Sequence, residues 1–332
     1  MLETPLTRLL GLEVPIVQAP IGPLATPELA AAVIRAGGLG TLGLSRTLPE
    51  EIGPLIERTR DLAAGPLAAN LILAWEQHER LVACLEAGVD AVSFFWGDPE
   101  PYLPLLRAAE AKTMLTVGSA AEARRAVDLG IDIVVAQGWE AGGHVLGQVG
   151  TVALVPAVVD AVAGRAPVVA AGGIADGRGL AAALMLGAAG VWLGTRFVAA
   201  KEASAHPGYQ GAIMGAPETD TVYSELFDGG WPRAPHRVLN NSTVRAWIAE
   251  GRPPRGRRPG EDEVIATQPD GTPIRRYDIA APRAEMSGAW EACALYAGQS
   301  AGLVHEILPA GEIVRRIVEE ATALIRERAA AL

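Results

Sequence analysis

The chain has 332 residues, enough for two domains or for one large α/β barrel with an addition. Half of the residues are hydrophobic and 5% are aromatic, which excludes a disordered chain and predicts a large core built from aliphatic side chains. The formal net charge of −10 argues against nucleic-acid binding, which requires a basic surface.

Short aliphatic runs recur through the first two thirds of the chain, with helical stretches between them. The runs are continuous rather than alternating, which is typical of strands buried on both faces of a parallel sheet. Eight strand–helix units predict a (β/α)8 TIM barrel. An open, doubly wound sheet is the alternative, although no Gly-x-Gly-x-x-Gly follows the first strand. The predicted strands are Pro15–Gln18, Leu39–Gly43, Pro66–Leu71, Ala91–Phe95, Thr113–Val117, Ile131–Ala136, Pro167–Ala171 and Val191–Gly194.

Three predicted helices have clear start signals, and the chain after them changes character. The helices are Pro27–Ala36 after Thr26, Ser119–Leu129, and Asp176–Leu186. We place the barrel in residues 1–205 and expect a C-terminal helix over 309–332 to complete it. Residues 206–300 are rich in Pro, Gly and Arg with weak periodicity, which predicts an inserted segment of short helices and long loops on the substrate side.

The cysteines and the apolar stretches give no sign of a metal site or a membrane anchor. Cys84 and Cys293 are far apart and have no neighbouring histidine, so we expect two reduced thiols and no bound metal. The N-terminus has no basic region followed by an apolar one, and the longest apolar stretch, Gly179–Gly194, is shorter than a membrane span. These features predict a cytoplasmic protein with no membrane or nucleic-acid partner; an oligomer is possible.

Two glycine turns follow the last two predicted strands. Gly172 and Gly173 follow the seventh strand, and Gly194 and Thr195 follow the eighth. Such turns expose backbone N–H groups at a helix N-terminus, and the loops after strands 7 and 8 commonly bind phosphate in this fold. The alternative is that the glycines only make tight strand-to-helix turns.

His144 is the strongest single candidate for a catalytic residue. It follows Gly142 and Gly143 in a loop at the end of the sixth strand, where glycines let the backbone approach a flat ligand. Imidazole is suited to proton exchange near neutral pH, although a single histidine can also be structural. The other histidines are expected to be structural or on the surface: His78, His206, His236 and His305.

Three polar side chains near strand ends have two interpretations each. The amides of Asn70 and Gln137 could face the polar edge of a pyrimidine-like ring, or they could cap the strand ends. Glu140 could orient the loop or His144, or it could lie on the surface.

At these residues the sequence resembles the nitronate monooxygenase family. The resemblance covers about Pro15–Pro207, and Ala297–Gly302 resembles a further family element near the C-terminus. FMN-dependent enoyl-ACP reductases share the barrel and a similar Glu-Ala-Gly-Gly-His loop. The family motifs are Pro15–Pro20, Ala36–Gly40, Gln137–His144, Gly172–Gly179 and Gly194–Phe197.

The resemblance implies an FMN enzyme that oxidises alkyl nitronates with oxygen to a carbonyl compound and nitrite. His144 matches the family's catalytic histidine, as a base or as a partner of the nitro group, and Tyr296 is the best candidate for the substrate side. FMN supplies the redox chemistry, while the protein orients the substrate. The implied cofactor-binding residues are Ala19, Pro20, Ile21, Asn70, Ser119, Gln137, Gly143, Gly172, Gly173, Gly194, Thr195 and Gln299.

The sequence departs from the family pattern at two places near the expected flavin. Ile21 stands where many relatives carry Met, and Phe94–Pro99 is bulkier than expected, so that it could narrow the substrate pocket or shield the flavin.

Three other functions stay open at this point. An NAD(P)H-dependent FMN reductase, such as an enoyl-ACP reductase, would use the same motifs. A non-catalytic flavin-binding protein would need His144 only as a structural residue. A flavin-free aldolase or isomerase is less favoured, because Lys112 starts the fifth strand and no strand ends in a lysine.

Overall fold

A computed structural model describes residues 2–331 of the chain. The strands and helices alternate through the first 200 residues, as the aliphatic runs predict. The strands are β1 (Ile16–Gln18), β2 (Gly40–Gly43), β3 (Leu67–Ile72), β4 (Ala91–Phe95), β5 (Lys112–Val117), β6 (Ile133–Gln137), β7 (Gly143–His144), β8 (Val168–Ala171), β9 (Gly190–Leu193), β10 (Thr221–Ser224), β11 (His236–Leu239), β12 (Val264–Thr267), β13 (Pro273–Arg275) and β14 (Ser287–Gly288).

Eight of these strands form one parallel sheet that curves into a barrel. The order is β1-β9-β8-β6-β5-β4-β3-β2, and a bridge between Val17 and Leu39 brings β2 back against β1. There the Leu39 N–H donates to Ile16 O at 2.9 Å, and the Gln18 N–H donates to Leu39 O at 3.0 Å. The predicted (β/α)8 barrel is confirmed, and the open doubly wound sheet is excluded.

The helices cover the outside of the barrel, and α1 (Pro5–Leu10) closes its amino end. Thr26 and Asp176 cap α2 (Pro27–Arg35) and α8 (Gly177–Met185) with their side chains, as predicted. The helices are α1 (Pro5–Leu10), α2 (Pro27–Arg35), α3 (Pro49–Leu62), α4 (His78–Glu86), α5 (Leu103–Ala108), α6 (Ala120–Asp128), α7 (Thr151–Val162), α8 (Gly177–Met185), α9 (Thr195–Val198), α10 (Pro207–Gly215), α11 (Ser242–Ala249) and α12 (Ala310–Ala331).

The continuous apolar runs are explained by burial on both faces of the strands. In β6, Ile133 and Val135 pack inside the barrel, while Val134 and Ala136 pack against the outer helices. Leu6 of α1 packs with these interior residues at the amino end of the barrel. A strand such as β6 therefore contributes to two hydrophobic cores, which is why its apolar residues do not alternate with polar ones.

The segment after residue 205 contains more strand than its sequence predicts. Besides α10 and α11 it holds two small antiparallel sheets, β10-β11-β7 and β13-β12-β14. Their strands are two to four residues long, too short to show a period, and β11 pairs with β7 of the barrel loop. Helix α12 packs on α8 and α2 and completes the outer ring. The domain limits remain a prediction, and their end points Met1 and Leu332 lie outside the described residues.

Candidate functional site

The loop after β6 holds His144 in a fixed position by contacts on two sides. On one side the Gln137 Nε2 donates to His144 O at 3.0 Å, and the Gln137 Oε1 accepts from the Leu146 N–H at 3.2 Å. On the other side β7 pairs with β11, which places His144 opposite His236. The inserted segment thus contributes directly to the site that the barrel loop carries.

The His144 imidazole lies among aromatic rings. Trp231 stacks on it with ring centroids 4.0 Å apart and an interplanar angle of 28°. Tyr296 lies at 5.5 Å, and Trp96 meets the imidazole edge-on at 6.1 Å. The predicted substrate-side tyrosine and the bulky segment after β4 therefore both lie against His144.

The Nε2 atom of the His144 imidazole is buried away from solvent. The residue keeps some exposed surface, but its Nε2 is enclosed and has no hydrogen-bond partner among residues 2–331. Burial, with a smaller effect of the neighbouring His236, holds the pKa of His144 well below its ordinary value of 6.5. His144 is consequently a neutral imidazole at pH 7 with a free ring nitrogen, which suits a proton acceptor or a neutral hydrogen-bond donor.

His236 is held as a neutral ring by two backbone groups. Its Nε2 accepts from the Phe227 N–H at 3.1 Å, so the proton resides on Nδ1, which donates to Ala234 O at 2.9 Å. Burial lowers the pKa of His236 to about 4. The sequence predicts His236 to be structural or on the surface; it is buried, and its ring centroid lies 5.4 Å from that of His144.

We expect His236 to make the fold sensitive to acid. Below pH 6.5 the unfolded chain binds a proton at His236 that the folded chain accepts only near pH 4, so the free energy of unfolding falls as the pH falls through this range. Between pH 7 and pH 4.5 the loss from this group is about 2–3 kcal/mol. In urea titrations at both pH values, His236→Gln should lose that much less stability than the wild-type protein. An equal acid loss in both proteins would contradict this assignment.

The two predicted glycine turns lie at the carboxyl ends of adjacent strands, β8 and β9. Gly172 and Gly173 have φ angles of +102° and +71°, a region that favours glycine. Within residues 2–331, the backbone amides of Gly173, Gly194 and Thr195 donate to no protein acceptor. A β-carbon at Gly194 would meet nothing closer than Ala19 Cβ at 3.7 Å. Free N–H groups beside open space at the start of α9 fit an anion such as a phosphate.

Gly142 and Gly143, in the loop after β6, have different surroundings from each other. A β-carbon at Gly142 would lie 2.3 Å from Gly298 N, so this glycine allows two backbone segments to pack. Gly143 has φ +74° and nothing within 4 Å of its β-carbon position, so its surface is open to a ligand. Within residues 2–331, the Glu140 carboxylate makes no hydrogen bond to His144; it accepts from the Thr151 N–H at 3.0 Å, at the start of α7.

Most of the predicted polar contacts are already engaged within the protein. The Asn70 Nδ2 donates to Ser93 O at 3.1 Å, and Gln137 uses both ends of its amide on the His144 loop, as described above. The Ser119 hydroxyl caps α6, and the Thr195 Oγ1 accepts from the Gly298 N–H at 3.0 Å. Gln299 is the next residue after Gly298, and its backbone N–H donates to Glu140 O at 3.0 Å. Asn70 and Gln137 thus make strand-end contacts within the protein, and their contact with a cofactor stays a prediction.

The sequence did not single out Trp231, which stacks on His144, or Trp75, which packs on Trp231. Trp231 is 6% exposed and packs on Trp75 with centroids 4.9 Å apart. The two residues are 156 positions apart in sequence. Only the Pro-rich composition around Trp231 marked it, and that pattern predicts a loop rather than a partner.

The described residues contain no group of three or more His, Cys, Asp or Glu side chains arranged to hold a metal ion. Cys84 and Cys293 are free and buried, and burial raises the pKa of each thiol to about 12. Among residues 2–331, no helix is both long and apolar enough to cross a bilayer.

Comparison with known proteins connects this site to one family. The sequence model of the family "Nitronate monooxygenase" matches residues 3–79 and 73–320. A nitronate monooxygenase of Pseudomonas aeruginosa is 34% identical over 364 aligned positions, which cover 95% of this chain and 98% of that protein. A (3aS,4S,5R,7aS)-5-hydroxy-7a-methyl-1-oxo-octahydro-1H-indene-4-carboxyl-CoA dehydrogenase of Mycobacterium tuberculosis is 38% identical over 73% of this chain and 68% of that protein.

Among solved structures, FabK from Thermotoga maritima superposes with a TM-score of 0.86. It is 35% identical, and the match covers 100% of both chains. The similarity therefore includes the inserted segment as well as the barrel, and with it the sheet that holds His144. Together with the family match over most of the sequence, it shows that this chain is a flavin oxidoreductase of the nitronate monooxygenase family.

Proposed function

We propose that the protein binds FMN and oxidises alkyl nitronates with oxygen to a carbonyl compound and nitrite. The observation that carries the proposal is the His144 Nε2, an enclosed ring nitrogen with no hydrogen-bond partner in the described part of the chain, next to the open surface of Gly143. By atom balance, two nitronate anions and one O2 give two carbonyl compounds and two nitrite ions.

The residues at the strand ends fit FMN. The free amides of Gly173, Gly194 and Thr195 would hold the phosphate, and the open surface of Gly143 would lie against the flat ring. Ala19, Pro20 and Ile21 follow β1 next to Gly194 and would border the same ring. When bound, FMN supplies the electron acceptor that the side chains of this site lack.

His144 would serve the substrate in one of two tautomers, since no hydrogen bond from residues 2–331 fixes its proton. With the proton on Nε2, it donates a hydrogen bond to an oxygen of a nitronate. With the proton on Nδ1, Nε2 accepts the α-proton of a neutral nitroalkane and so forms the nitronate in place. Both actions require the neutral ring that burial favours.

Oxygen consumption tests the proposal directly. Purified yellow protein is supplied with propionate 3-nitronate and no NADH, and oxygen uptake and nitrite are followed together. We expect uptake with two nitrites per O2. No uptake from flavin-loaded protein would reject nitronate oxidation.

A second candidate is the NAD(P)H-dependent reduction of an unsaturated acyl thioester. It is favoured by the likeness to the mycobacterial protein, whose name describes a CoA thioester substrate. Anaerobic mixing with NADH separates the two candidates: rapid bleaching of the flavin, reversed by an enoyl thioester, supports the reductase, whereas an unchanged flavin spectrum supports nitronate oxidation.

A further inference from the structure

Four aromatic side chains form a wall beside the His144 imidazole: Trp96 and Trp231 lie against His144, and Trp75 and Phe95 pack on Trp231. Trp231 is its centre. Besides stacking on His144, the Trp231 ring lies 4.9 Å from Trp75, 5.2 Å from Trp96 and 6.4 Å from Phe95. The members come from the ends of β3 and β4 and from the inserted segment, so both parts of the molecule build the wall.

The wall is anchored at its centre. The backbone N–H of Trp231 donates to the backbone carbonyl of Asp228 at 3.1 Å, and the backbone N–H of Gly229 donates to that of Tyr277 at 2.9 Å. The Asp228 carboxylate is paired with the buried Arg258 guanidinium at 3.0 Å. A buried ion pair and two backbone hydrogen bonds therefore hold the turn that carries Trp231.

Trp96 is held in a conformation that tryptophan rarely adopts. Its φ angle is +61°, in the left-handed region, where a bulky side chain is strained. In this conformation its ring lies edge-on to both His144 and Trp231. A strained residue beside the His144 ring fits a role in shaping the substrate space.

We propose that this wall restricts the site to compact substrates, nitronates with short alkyl groups, and that Trp231 sets the limit. The inference rests on the proposed function for the nature of the substrate. Rigid packing around the reacting group discriminates by size because each extra methylene that does not fit costs about 10- to 200-fold in kcat/KM. An alkyl group of several carbons on the His144 side would have to displace the Trp231 ring.

The test compares wild type, Trp231→Ala and the control Trp247→Ala, whose indole lies on α11 and donates to Pro253 O. The measured quantity is the ratio of kcat/KM for ethyl nitronate to that for octyl nitronate. We expect a large ratio in the wild type and in Trp247→Ala, and at least a tenfold smaller ratio in Trp231→Ala. A wild-type ratio near one, or an unchanged ratio in Trp231→Ala, would overturn the proposal.

A second measurement does not depend on turnover. Diethyl pyrocarbonate modifies accessible neutral imidazoles, and peptide mass spectrometry gives the rate at His144 in flavin-free protein. We expect Trp231→Ala to raise this rate at least tenfold over wild type and Trp247→Ala; equal rates would show that Trp231 does not cover His144. If no variant oxidises nitronates and the rate still rises, the proposed function fails while the wall stands. Should Trp231→Ala not fold, Trp231→Leu is used in both measurements.

Discussion

Replacing His144 with alanine is expected to lower kcat/KM for a nitroalkane by about 10²- to 10⁴-fold, the usual contribution of a positioned acid or base. The physical reason is the enclosed Nε2, since no other imidazole in residues 2–331 has a free ring nitrogen beside the open Gly143 surface. The flavin content of the purified variant should be unchanged, because the amides proposed to hold the phosphate follow β8 and β9. Steady-state kinetics and flavin absorbance measure both quantities.

The matched control for that experiment is His78→Ala, which removes an exposed imidazole at the start of α4. It should retain wild-type kinetics. Because His144 is neutral at pH 7, the wild-type kcat/KM for nitroalkanes should not fall between pH 8 and pH 6.5 through this group, and should fall only at lower pH. Full activity in His144→Ala would make the loop structural and favour a protein whose flavin site lacks a proton partner.

Gly194→Asp is expected to weaken FMN binding by about 10- to 100-fold, because it places a carboxylate beside the amides proposed to hold the phosphate. Gly194 is the better position for this test than Gly173. A β-carbon at Gly194 finds only ordinary contacts and the φ angle is −104°. At Gly173 the φ angle is +71° and a β-carbon would press on Glu140 Cγ at 3.0 Å, so any substitution there also strains the backbone.

Gly194→Asn is the control that separates charge from size. Asn has the shape of Asp without its charge, so the difference in FMN dissociation constant between the two variants reports the electrostatic effect alone. Flavin fluorescence titration of deflavinated protein gives both constants. Equal constants for the Asp and Asn variants would place the phosphate away from Gly194.

The sequence alone was sufficient for the barrel and for placing the candidate site residues at the carboxyl ends of its strands. Eight continuous aliphatic runs predict strands buried on both faces, and the structure confirms all eight within one or two residues at each end. The glycine turns after β8 and β9 and His144 after β6 were also readable, because parallel strands bring their carboxyl ends together whatever the loops do.

Only the tertiary structure decided what surrounds His144. Trp96 and Trp231 meet there from two distant segments, and Trp75 packs on Trp231 from a third. His236 lies beside His144 through the pairing of β11 with β7, a strand of two residues. Local sequence records the period of a strand or helix, which persists over several residues, but it carries no trace of a contact between short segments far apart in the chain. The lowered pKa of His144 likewise comes from burial and from a neighbour 92 positions away, so no pattern around residue 144 could have predicted it.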